Sequence, residues 1–61
     1  MNEALIKYTY IVSKYVKHET GDDIFLDLLD LVEKSLHDFE KELANNLWKE
    51  ADNYIKGKKE V

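Results

Sequence analysis

The chain has 61 residues, 44% of them apolar and 36% charged, and its 13 acidic against 9 basic side chains leave a net charge of -4. A chain this short buries only ~60% of the surface that it exposes when unfolded, so it needs very efficient helix packing, a staple or a partner. The absence of Cys removes disulfides and thiolate zinc sites, the absence of Pro removes one kind of helix break, and the nine basic residues are all Lys, which lack the bidentate fork that favours specific phosphate and guanine contacts.

No apolar run approaches the ~18 residues of a membrane span, and the opening MNEALIKYTY has no basic segment followed by an apolar one. A cytoplasmic protein without a membrane segment is expected. The Lys-, Asn-, Ile- and Tyr-rich, Arg-free composition fits a low-GC bacterium or its phages and plasmids.

The first element predicted is a helix over about 3–19. Its β-branched and aromatic content would suit a strand. However, Ala4, Leu5, Tyr8, Ile11, Val12, Tyr15 and Val16 fall within an arc of roughly 140° at helical spacing, with Lys7, Ser13, Lys14 and Lys17 outside it. Gly21 is placed to end this helix in the left-handed conformation, and Asp22 to cap the next, with Asp23 favouring its positive end. His18, near the end of helix 1, suits a cation at a helix C-terminus better than a catalytic base.

A second helix is predicted over about 22–56. Phe25, Leu29, Val32, Leu36, Phe39 and Leu43 alternate steps of four and three, with Leu28 widening the stripe, as in a helix packed antiparallel against another. Beyond Leu43 the apolar face turns by roughly 80° to Ala44, Leu47, Trp48, Ala51, Tyr54 and Ile55. With neither Gly nor Pro at that point, one continuous helix is the preferred reading. It would run ~52 Å to Gly57, followed by a Lys-rich tail over 57–61. The alternative is a three-helix bundle with a break near Asn45 and Asn46.

The fold expected is therefore all-α: an antiparallel helical hairpin of a short and a long helix, associating as a dimeric bundle. Helix 1, at ~25 Å, could cover only the first half of helix 2 and would leave Leu47, Trp48, Ala51, Tyr54 and Ile55 bare for a second copy or another protein. Ile6 and Tyr10 on the back of helix 1, and Ile24 and Leu31 on the back of helix 2, suggest a further contact surface. The interface residues expected are Ile6, Tyr10, Leu31, Leu47, Trp48, Ala51, Tyr54 and Ile55, in a homodimer or against a larger protein.

The sequence offers no nucleophile paired with a base, no Gly-rich phosphate loop and no zinc signature, so neither an enzyme nor a cofactor is expected. Asp30, Glu33, His37 and Glu40 share one side of the predicted helix 2, but Lys34 and Lys41 beside them favour a solvated charged face over a metal site. The function expected is a small regulator or inhibitor that binds a larger protein through apolar anchors ringed by acidic residues. The alternative is a nucleic-acid-binding regulator using the stripe of Lys7, Lys14 and Lys17 around Tyr10. It is disfavoured by the eight acidic residues between Asp22 and Glu42.

Overall fold

The computed structural model describes residues 3–35 and 40–59, and among these every regular element is helical: α1 (Glu3–Thr20), α2 (Phe25–Lys34) and α3 (Glu40–Lys59). The all-α expectation holds and the hairpin does not. Tyr8 of α1 meets Trp48 of α3, and Glu19 lies opposite Lys59, so partners are 40 positions apart at both ends and the two long helices run parallel. Helix α2 carries the chain back between them, giving an up-down-up bundle of 35 × 16 × 15 Å, in which a helix of ~52 Å has no room.

Helix α1 begins with Glu3 and ends with Lys17 and His18 in its last turn, charges that suit the two ends of the helix dipole. It buries Thr9, Val12, Ser13 and Val16, a stripe turned by roughly 80° from the predicted one. Ile11, expected inside, is 58% exposed. The two hydroxyl residues can go inward because each satisfies itself within the helix: Thr9 Oγ1 donates to the Leu5 carbonyl at 2.7 Å and Ser13 Oγ to the Tyr10 carbonyl at 2.7 Å. Hydropathy patterning counts such residues as polar and so misplaces the face.

Gly21 ends α1 at φ +81°, its N–H donating to the Lys17 carbonyl at 2.7 Å. Thr20 Oγ1 tightens the same turn, donating to the Val16 carbonyl and accepting the Asp22 N–H. Asp22 does not cap α2, because its carboxylate is engaged by α3. Asp23 Oδ1 instead accepts the Phe25 N–H at 3.0 Å at the start of the helix.

The two glycines make opposite predictions. An added Cβ meets nothing within 4 Å at either position. Gly21→Ala should therefore lose only the left-handed backbone preference, about 1–2 kcal/mol. Gly57 lies inside α3, which continues to Lys59 instead of stopping at Gly57, and there Gly57→Ala should stabilise by up to ~1 kcal/mol. Thermal melts of both variants check the pair; equal shifts of the same sign would contradict the backbone assignment.

Helix α2 buries Leu28 and Val32, and Ile24 at its N-cap is 5% exposed. Of the expected seam, Val32 and Leu43 are buried, Phe25 and Leu29 are half-buried, and Leu36 and Phe39 lie outside the described residues. Ile24 and Leu31, assigned above to the back of the helix, instead join the core and pack against it, respectively. The helix ends at Lys34, with the Ser35 N–H donating to the Val32 carbonyl at 3.1 Å. The chain thus breaks between α2 and α3, upstream of Asn45 and Asn46, which are exposed within α3.

Burial decides the break. Interrupting a helix forfeits a few backbone hydrogen bonds worth ~0.5–1.5 kcal/mol each. Folding back encloses Leu47 and Ala51, each 0% exposed, and Ile55, 8% exposed, against Val12, Val16, Leu28 and Val32. At ~1.5–3 kcal/mol for each large side chain buried, closure outweighs continuity.

Candidate interaction surface

The residues expected at an interface divide into three groups. Leu47, Ala51 and Ile55 belong to the chain's own core, and the premise that they lie bare is corrected. Trp48, Tyr54 and Leu31 are half-buried against that core. Ile6 and Tyr10 are exposed, at 38% and 50%.

Trp48 is an internal anchor. Its indole N–H donates to the Tyr8 hydroxyl, and its ring stands edge-on to Tyr8 and Tyr15 at centroid distances of 6.4 and 5.5 Å. This aromatic group spans α1 and α3.

Tyr54 is tied to the turn after α1. Its hydroxyl donates to Asp22 Oδ2 at 2.8 Å, and Lys58 Nζ approaches the same oxygen at 3.1 Å. The Tyr54 hydrogen bond, then that from Lys58, hold the Asp22 carboxyl below its ordinary 3.8. The same carboxylate raises Tyr54 above 10.0, with desolvation adding to it, and raises Lys58 above 10.5. A depressed acid stabilises the fold above its unfolded pKa and loses this as pH falls through its folded value. Raised Tyr and Lys groups stabilise below their unfolded pKa values and lose this as pH rises through their folded ones. The melting temperature should therefore form a plateau that falls below pH ~4 and above pH ~10. Tyr54→Phe should flatten both limbs; limbs unchanged in the variant would remove this cluster as their cause.

On the other side, the exposed face of α1 presents Lys7, Lys14 and Lys17, as expected, with Lys14 Nζ 5.3 Å from the centre of the Tyr10 ring. Tyr10 also stands edge-on to Phe25 of α2 at 6.1 Å. Ile11 and Tyr15 occupy the far shoulder of this helix, so among the described residues four of the five large exposed apolar side chains belong to α1.

Between α2 and α3, facing away from α1, lies a groove of about 310 Å³. Ile24, Leu28, Leu31 and Tyr54 line it, the first two of them buried, and Asp27, Asp30 and Glu50 bring carboxylates to it. Lys34 is the one cation lining it, and its Nζ is held by Asp30 at 2.9 Å, a contact that raises the lysine pKa. Leu31 and Tyr54 were legible in the sequence as contact residues. Ile24 was expected beside Leu31 on a further contact surface, Leu28 was assigned to the seam, and Asp27 and Glu50 were missed. The stripe of Asp27, Leu28, Asp30 and Leu31 signals an acid-edged apolar face on one helix, but only the fold brings Glu50 beside it.

Asp30 and Glu40 cannot share the helical metal face considered above, since α2 ends between them; Glu33 is exposed, and His37 lies outside the described residues. Among the described residues no group of three or more His, Cys, Asp or Glu side chains could hold a metal ion, and no helix is long and apolar enough to cross a membrane. No family model, curated protein or solved structure matches this chain.

Proposed function

We propose that this chain is a small non-enzymatic binding module, a regulator or inhibitor that docks on a larger protein. The observation that carries this reading is the groove between α2 and α3, in which the half-buried Leu31 and Tyr54, lying over the buried Ile24 and Leu28, are accompanied by Asp27, Asp30 and Glu50. Apolar surface edged by charge is the usual anatomy of a protein contact. The anchors differ from those expected: Leu47, Ala51 and Ile55 serve the fold, and Leu31 with Tyr54 remains available at the groove. The case for an obligatory second copy rested on bare residues of a long helix, and it lapses with their burial.

A photo-reactive amino acid placed at Leu31, compared with one at exposed Lys49, tests this reading in the source cells. A protein adduct specific to position 31 is expected. No adduct, or the same adducts from both positions, would overturn it.

The second reading, nucleic-acid binding, is favoured by the exposure of Lys7, Lys14 and Lys17 around Tyr10. Backbone binding by these lysines should weaken steeply with salt and be lost in a K7E/K14E/K17E variant, as read by anisotropy with mixed oligonucleotides. Salt-insensitive or absent binding would dismiss it.

A further inference from the structure

We propose that the α2–α3 groove receives a cationic amphipathic helix of the partner protein; this rests on the reading above and names the partner's chemistry. The apolar side chains of that helix would sit on Leu31 and the Tyr54 ring, over the buried Ile24 and Leu28, and its Lys or Arg residues would meet Asp27 and Glu50.

Three features select this occupant. Among the described residues the charge is one-sided: three carboxylates and one lysine line the groove, and the pairing of Lys34 with Asp30 at 2.9 Å leaves Asp27 and Glu50 without a cation among the lining residues. An anionic ligand or a nucleic-acid backbone would face repulsion there. The volume of about 310 Å³ is at the lower end of the ~300–1,000 Å³ found for small-molecule sites, and the groove lies open between two helices, which suits a few side chains of a helix laid along it. Finally, the Tyr54 hydroxyl is committed to Asp22, so Tyr54 offers the groove a ring and little polar recognition.

A second copy of this chain fits less well. Its own basic surface, Lys7, Lys14 and Lys17 with Ile6 and Tyr10, lies on α1 beside Phe25 of α2, and none of these α1 residues lines the groove. Seating that surface in the groove of another copy joins unlike faces head to tail, which yields a ring or an open fibre and not a two-fold pair.

The test is fluorescence anisotropy of the full chain with a labelled peptide of about 14 residues, Lys and Leu only, its leucines at i, i+3, i+4 and i+7. Controls are a scrambled peptide of the same composition and one with Glu for Lys. The amphipathic cationic peptide should bind at least tenfold more tightly than either control. Its affinity should fall at least tenfold in a D27K/E50K variant and in L31S, with circular dichroism showing both still helical.

Equal binding of the scrambled peptide, or undiminished binding by D27K/E50K, would overturn the assignment. So would self-association in light scattering that D27K/E50K abolishes, because it would give the groove to a second copy. Failure of the peptide while position 31 still yields its specific adduct would reject the cationic helix and leave the binding module standing. Failure of both would reject both.

Discussion

Replacing Leu47 by alanine is expected to remove most of the folded population. Leu47 is fully buried among Val12, Val16, Leu28 and Val32, where truncation costs about 2–5 kcal/mol through lost transfer energy and the cavity left behind. A domain of this length has only ~3–9 kcal/mol in total, at ~0.05–0.15 kcal/mol per residue. In urea titrations followed by circular dichroism, the midpoint should fall sharply, or the baseline of the folded state should disappear at 25 °C. The contrast with the hairpin is direct: there Leu47 faces a second chain, so the cost of L47A would depend on protein concentration. Here it should not. Light scattering on the dilute wild-type protein should give a single chain of 7.2 kDa, and a midpoint that moves with concentration would restore the dimer.

The second large effect is expected at Trp48. Burial is only partial, so Trp48→Ala should fall toward the lower part of the ~3–5 kcal/mol seen for aromatic truncation in cores. Three contacts are lost at once: the hydrogen bond from the indole to the Tyr8 hydroxyl and the two edge-on ring contacts with Tyr8 and Tyr15. Aromatic pairs of this kind contribute ~0.5–1.5 kcal/mol each beyond area burial. Tyr8→Phe separates the terms, since it keeps the ring and removes the hydroxyl, and should cost about 1 kcal/mol. Should W48A unfold no more readily than wild type while abolishing capture of a partner, Trp48 would be an interface anchor and not a clasp between α1 and α3. For the same reason W48A is a poor control in binding experiments, where D27K/E50K, at two exposed residues, probes the surface without opening the bundle.

The acid-edged groove also shows why the charge of this protein is informative only by place. A net charge of -4 describes the whole chain, yet α1 presents Lys7, Lys14 and Lys17, while Asp27, Asp30 and Glu50 line the groove between α2 and α3.

Local spacing alone determined that the chain is helical and that α1 stops at Gly21, because helix periodicity and a glycine's left-handed backbone are properties of neighbouring residues. The misreadings share one origin. Thr9 and Ser13 looked polar until their hydroxyls were seen bonded to carbonyls of their own helix, and the residues from Phe25 to Ile55 looked like one rod because no Gly or Pro interrupts them. Ser35 and His37, weaker helix formers, were the available hint. Only the tertiary structure decided where the chain turns and what Leu47, Ala51 and Ile55 are for. The gain from enclosing them between α1 and α2 depends on contacts distant in sequence, and that gain exceeds the cost of ending a helix after Lys34.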